Sequence, residues 1–478
     1  MDFLVAQELF PEQITTDKFA QNLLYIIGAA AALIFMAGLM LVDLGTVRRR
    51  NVLDVTVQRL VGFFIGALGY YIIGHAVWNW QYYDAFGVAD PYWASIEDWW
   101  LGGSLTGALA QEVDPLVSDI NNSQIFLAFL ALYAGLTNVL IHFALVERVR
   151  AAAFYVISAL VGFIAFPLVV WLTWGSTSPI TNAGTHDFFG VFAVYIFAGT
   201  MCLVLARRVG PRLGIFTPHA GLGGDGMARP YNLGLTAVGV MMILLGVPLV
   251  IVACGFFFPE AGYFGIAMST TSVGLVFENL FAAMTAGALV GAIIAYRTRK
   301  VVYLLLGPLA GYISGAAGFD VMVPWEMFLV GMGAPVVAYL VYELVVERGH
   351  TDEHKVIPLG LGVGCYGVIM TGIFGWGTPT GGFFGLTEGD FAFQNSEVNV
   401  FWQLVGIAVA AGIALVTAAV SIFICERTVG LRVSEEEEIE GFDRRNWDVE
   451  HDVPEVLVAP AAATNGGDVT AEGAPLVR

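Results

Sequence analysis

The chain has 478 residues, 57% of them hydrophobic and only 13% charged, with a formal net charge of −19 and a mean hydropathy of +0.75. Soluble domains carry about 25% charged residues, so a soluble globular protein is excluded. The negative balance also argues against nucleic acid as a partner.

The first 22 residues contain Asp2, Glu8, Glu12 and Asp17 and no basic stretch before an apolar run, so they read as an N-terminal segment and not as a signal peptide. Beyond them, apolar runs of 18 or more residues recur, each long enough to cross a roughly 30 Å hydrocarbon core as a helix. Eleven are counted: 23–44, 57–79, 124–146, 152–174, 188–207, 232–254, 275–297, 300–319, 324–347, 356–376 and 400–425. The ten-residue alternation of membrane-spanning strands is absent. The expected fold is therefore an all-α polytopic membrane protein with eleven transmembrane helices.

The basic residues alternate across these spans. Arg48, Arg49 and Arg50 follow the first, Arg148 and Arg150 the third, Arg207, Arg208 and Arg212 the fifth, Arg297, Arg299 and Lys300 the seventh, Arg348 and Lys355 the ninth, and Arg427 and Arg432 the eleventh. The intervening loops carry none; only Lys18 breaks the pattern. The positive-inside rule places the N-terminus outside and the C-terminus in the cytoplasm of a plasma-membrane protein. The count also permits a 5+5 inverted repeat plus a C-terminal helix. Gly287 with Gly291, and Gly307 with Gly311 and Gly315, are spaced for close helix packing, and Pro308 is expected to kink the eighth helix. The transporter domain is expected over 23–428, a cytoplasmic tail over 429–452 and a disordered tail rich in Ala, Pro and Gly over 453–478. Acid-rich loops and tail suit a halophilic source.

Ionisable groups inside a bilayer are candidates for function. His75 and His142 lie within spans, and both read as hydrogen-bonded interface residues. His350 and His354 stand at i,i+4 in ERGHTDEHK and read as a solvated face before a metal site. Asp43 and Asp54 bracket the RRRN loop and are expected to pair with it. Asn121-Asn122-Ser123 is a possible glycan acceptor in a loop. The four cysteines lie in apolar segments without metal spacing. GLGGDG (221–226) follows a membrane helix and not a strand, so it is discounted as a nucleotide fingerprint. Nothing points to an enzyme, a metal or a cofactor.

Five stretches in order resemble landmarks of the ammonium transporter family (Amt/Mep/Rh): VRRRNVL (47–53), ALVERVR (144–150), DFFGVFAVY (187–195), GLGVGCYGVIMTGIFG (360–375) and VGLRVSEEEEIEGFD (429–443). The resemblance implies ammonium transport through a pore in each subunit of a homotrimer. It also implies a tail that touches a neighbour's loops and can receive a PII-type regulatory protein. By the same resemblance Trp174 falls on the recruitment tryptophan, Phe129 and Tyr133 on the stacked phenyl gate, and Asp187 on the vestibule aspartate. Cys254 replaces a recruitment serine, and Val250 an aromatic neighbour. An acid at the head of a helix is also an N-cap, and the two readings of Asp187 are compatible.

The departures fall on the chemistry. The family's two facing pore histidines fall here on Tyr195 and Gly360, whereas Gly190, Gly364, Gly367 and Gly372 around them are kept. Tyr195 supplies a hydroxyl that orients a solute without relaying protons, because a phenol titrates near 10. Gly360 supplies only width. Three functions stay open: an ammonium or ammonia channel, a channel for another small neutral solute or gas, and an ammonium sensor or non-conducting subunit.

Overall fold

The computed structural model describes residues 16–109, 120–222, 224–254, 265–266, 271–383 and 386–447. The expected tail over 453–478 lies outside the described residues. Among those described, ten helices are long and apolar enough to cross a membrane, and Val302–Gly315 is a shorter apolar helix. The protein is a multi-pass helical membrane protein.

In chain order the helices are α1 (Thr16–Thr46), α2 (Val52–Gly69) and α3 (His75–Ala85), the last two joined by a π-helical turn. The short α4 (Pro91–Trp99) precedes α5 (Ile120–Phe143). Another π turn joins α6 (Ala151–Leu160) to α7 (Phe166–Trp174). Then come α8 (Phe197–Val209), α9 (Leu233–Ile251), α10 (Val273–Thr298), α11 (Val302–Gly315), α12 (Pro324–Glu347), α13 (Gly364–Phe374) and α14 (Val400–Arg427). Two small helices, α15 (Glu435–Glu440) and α16 (Phe442–Asn446), form the tail. Pairs of two-residue strands, Gly265–Ile266 with Thr271–Ser272 and Pro379–Thr380 with Ser396–Glu397, edge the loops. Helix α1 begins inside the expected N-terminal segment. The Asn121 triplet lies in the first turn of α5 and not in a loop.

Polar caps start the helices that follow loops: Asn232 before α9, Ser272 before α10 and Asn399 before α14 accept backbone N–H bonds. The small-residue spacing acts as expected. A Cβ on Gly287 of α10 would collide with the Gly307 carbonyl of α11, and one on Gly311 with the Ala283 carbonyl. Pro308 is accommodated inside α11.

The loops with arginine meet at one end of the bundle, here the arginine end. Arg48 pairs with Glu147 at 2.8 Å, Glu147 also pairs with Arg212, and Arg148 pairs with Glu353 at 3.0 Å. The tail packs here against the chain's own loops. Asp443 accepts the Leu53 and Asp54 amides at 3.0 and 2.8 Å and so caps α2, and Glu438 is fully buried with Arg432 at 2.9 Å. At the opposite, tryptophan end, Trp78, Trp80, Trp171 and Trp174 form ring contacts.

Two expected pairings are corrected. Asp43 does not pair with the RRRN loop. Its partners are the fully buried Arg59, at 2.8 Å, and His354, at 2.9 Å. Asp54 instead accepts from Gln58 at 2.6 Å and from Asn446 and Trp447 of the tail at 3.1 and 3.0 Å. His354 is therefore neither a solvated group nor half of a metal site, because both ring nitrogens are used, the second at the Phe143 carbonyl at 3.0 Å. The reason is physical: a carboxylate buried at a helix end needs the nearest cation, whichever segment brings it.

Gly287→Val tests the α10–α11 contact. Overpacking costs about 1–3 kcal/mol, so the melting temperature in detergent should fall clearly. An unchanged melt would contradict the contact.

Candidate functional site: two cavities and a phenol pair

The path is built from breaks in helices. Before α8 the chain does not start as an α-helix. Asp187 is buried, and Gly190 stands at φ +76°, a left-handed backbone that suits glycine. A π turn then runs Val191–Ile196. The Asp187 carboxylate accepts the Phe192 amide at 3.0 Å. The cap reading is what the geometry gives. Burial raises the Asp187 pKa to about 6, against the lowering effect of the Phe192, Val191 and Gly190 amides. Its neighbour His186 is also buried, with Asp320 at 2.9 Å and the Thr380 hydroxyl at 3.0 Å. Burial works against the His186 charge, but Asp320 overrides it and raises its pKa.

The same construction recurs before α13. Asp352 accepts the Ile357 amide at 2.6 Å, and a π turn runs Ile357–Val363. Both aspartates cap the amide five residues on, and both stand eight residues before a candidate site residue, Tyr195 or Gly360. Asp352 was missed in the sequence. Its signal was that spacing, hidden by the lack of likeness between the flanking residues.

At the tryptophan end Trp174, Phe129, Tyr133 and Cys254 line one small cavity of ≈ 20 Å³, with Ala193 and Val194 of the π turn. Phe129 and Tyr133 pack at 4.7 Å between ring centroids. The structure therefore brings these four expected residues together. Asp187 is not in that cavity; it lines an adjoining one of ≈ 10 Å³, which also touches Trp174. Two backing rings were not foreseen: Phe126 stacks on Trp174 and Phe129 at 6.1 and 5.7 Å, and Trp78 lies 5.4 Å from Trp174. Phe126 precedes Phe129 by three, one helical turn, which is the cue that could have found it.

The next residue of the turn, Tyr195, lines a second cavity of ≈ 100 Å³ toward the arginine end. The same turn therefore lines both spaces. The Tyr195 hydroxyl meets the Tyr312 hydroxyl of α11 at 2.5 Å. Gly360 also lines this cavity, but its expected role is corrected. A Cβ there would stand 2.6 Å from the Tyr195 carbonyl oxygen, and a Cβ on Gly199 would collide with the Leu361 amide. Gly360 lets two broken helices touch; it does not widen a pore. Tyr312 supplies the polar partner instead. His75 and His142 lie within the bundle, one against the Trp99 ring at 4.9 Å and the other at the Gln58 side-chain oxygen at 3.0 Å.

Comparison with known proteins places this architecture. The Ammonium Transporter Family model matches residues 24–451. The chain is 24% identical to Ammonium transporter Amt1 of Methanocaldococcus jannaschii, over 88% of this chain and 94% of the relative. It is 26% identical to Ammonium transporter Amt1 of Haloferax mediterranei, over 96% and 86%. Its fold is similar to the solved structure of a sensor Amt protein, with TM-score 0.68, 19% identity and coverage of 89% and 98%. It is also similar to Mep2 of Candida albicans, with TM-score 0.64, 16% identity and 87% of each chain. The class that the family model defines is a membrane transporter. The chain belongs to the ammonium transporter family.

The raised Asp187 pKa gives a test. The unfolded carboxyl releases its proton near pH 4 and the folded one near pH 6, so the folded state holds the extra proton in between. Stability from this group therefore falls as pH rises through that window, by about 3 kcal/mol at most. Asp187→Asn should remove that part of the slope when melting is followed across the window in detergent. An unchanged slope would refute the assignment.

Proposed function

We propose that this protein moves ammonium across the plasma membrane, recruiting the cation at the tryptophan end and passing it as ammonia through a path in each subunit. One observation carries the reading: an aromatic cavity of Trp174, Phe129, Tyr133 and Cys254 and a second cavity behind Tyr195 are lined by consecutive residues of one π turn. Aromatic faces hold an ammonium by cation–π contact worth roughly 0.5–2 kcal/mol. Asp187, one cavity away, biases the vestibule toward cations. Beyond it the walls are mostly apolar, with the Tyr195 and Tyr312 phenols first and Thr46, Glu353, His354 and Lys355 in the wall of the second cavity; the phenols stay neutral at physiological pH because phenols titrate near 10. A neutral solute crosses such a segment at far lower cost than an ion. The phenol pair then orients ammonia without carrying its proton.

In this reading eleven helices cross the membrane as five plus five inverted repeats and a C-terminal helix, with the N-terminus outside and the tail inside. The meeting of the arginine loops at one end supports it, as does the repeated aspartate–π-turn construction. The assembly is a homotrimer, and the tail offers a landing site for a PII-type regulator. The acid excess and the Haloferax relative favour a halophilic source. No cofactor is required.

A second reading, a sensor or non-conducting subunit, is favoured by the direct Tyr195–Tyr312 contact in the wall of the second cavity, which would have to part for a solute to pass between the phenols. Liposome flux of ammonium and methylammonium separates the two. If the protein conducts, Tyr195→Phe with Tyr312→Phe should slow flux roughly tenfold, because the solute loses a hydrogen bond worth about 1–1.5 kcal/mol. Saturable methylammonium binding with no flux in either form would replace transport by sensing. Native mass spectrometry showing monomers in mild detergent would remove the trimer.

A further inference from the structure

The chain has three lysines, Lys18, Lys300 and Lys355. A lysine in a loop normally carries its tip to water. Lys355 does the reverse. It stands at φ +62°, and its Nζ donates to the carbonyl oxygens of Asp352 at 3.2 Å and Glu353 at 2.9 Å. The same nitrogen lies 4.5 Å above the centre of the Tyr342 ring. Carbonyl oxygens and an aromatic face are the groups that recognise an ammonium ion.

The place matters as much as the contacts. Lys355 and Glu353 line both the cavity behind Tyr195 and a larger one of ≈ 430 Å³ toward the arginine end. They stand where the path opens. Asp352 Oδ1, Glu353 Oε2 and Thr351 Oγ1 are buried there without a hydrogen-bond partner. All three residues line the larger cavity. Buried oxygens without donors are costly and are rare in native proteins. Burial would raise the Glu353 pKa, but Arg148 and Arg212 override it and hold it at about 2, so the carboxylate stays charged. Burial pushes the Lys355 ammonium the other way, downward.

We propose that this junction is a binding site for ammonium-class cations, and that the Lys355 side chain fills it as a tethered occupant. A solute ammonium and the lysine ammonium are then alternatives for one set of acceptors. While Lys355 is seated, its charge repels other cations from the path, and a neutral solute passes. An ammonium formed at the mouth must displace it. The proposal deepens the transport reading and rests on the path it defines, but its binding test does not need flux.

The test uses the full-length protein in detergent. Lys355→Met keeps the stem and removes the charge. Its melting temperature should rise with ammonium chloride, saturably and beyond any rise in wild type, and not with sodium or choline chloride at matched ionic strength. Adding Tyr342→Leu to the variant should abolish the extra rise. If Lys355→Met responds to ammonium no more than wild type does, the proposal falls. A second measurement covers a variant that does not fold. In wild type, reductive methylation read by mass spectrometry should label Lys355 many times more slowly than the exposed Lys300, and Tyr342→Leu should narrow the gap. Equal labelling in wild type would show that the tip is not seated and would overturn the idea. An ammonium-specific rise without liposome flux would keep this site and refute transport; flux without the rise would do the opposite.

Discussion

In an apolar phase every backbone amide that a helix leaves unpaired must find an acceptor within the protein. Two helices here begin with a break, and two aspartates meet the demand. Asp187 takes the Phe192 amide and Asp352 the Ile357 amide. Each carboxylate holds the start of a π turn, with Tyr195 the fifth residue of the first turn and Gly360 the fourth of the second. The aspartates therefore decide where Tyr195 and Gly360 stand. The helix cap is then also a positioning residue, because the cap sets the angle at which the broken helix enters the bundle.

That entry angle has a consequence for chemistry. The two broken helices touch backbone to backbone, Gly360 against the Tyr195 carbonyl and Gly199 against the Leu361 amide. No side chain fits between them at Gly360. A polar partner for Tyr195 cannot come from the helix that carries Gly360, so it comes from α11 as Tyr312. The two phenols keep hydrogen-bonding capacity there, with far lower proton affinity than an imidazole, which titrates near 6.5.

Much of this was legible in the sequence. Hydropathy gave the helices, since each long apolar run has one cheap conformation in lipid. The basic residues gave the grouping of loops, which the Arg48–Glu147–Arg212 contacts repeat. The resemblance gave Trp174, Phe129, Tyr133 and Cys254, which do share a cavity. What stayed hidden was pairing across distance. Asp43 lies five residues from Arg48 but pairs with Arg59 and with His354, more than three hundred positions away. Tyr312 lies in a glycine-rich helix, and nothing in the local pattern singles it out. Its partner is 117 positions earlier, and no periodicity encodes such a contact. Lys355 read as a charge in a solvated loop, because composition cannot say which way a long side chain turns.

The arginine end shows how far such pairing binds the chain together. Glu147 is shared by Arg48 and Arg212, Arg212 also reaches Glu353 at 3.3 Å, and Glu353 lines both cavities at the mouth of the path. On the other side, Glu438 of the tail takes the Leu213 amide at 2.6 Å, one residue from Arg212. Every one of these side chains is buried or nearly so. Removing one partner of a buried pair leaves its mate an uncompensated charge, a loss of about 3–5 kcal/mol. The members therefore hold together or rearrange together. The tail, the loop after α8 and the wall of the mouth thus form one electrostatic unit. The position of a six-residue helix that begins in four glutamates is tied, through two arginines and a shared carboxylate, to the residue beside Lys355.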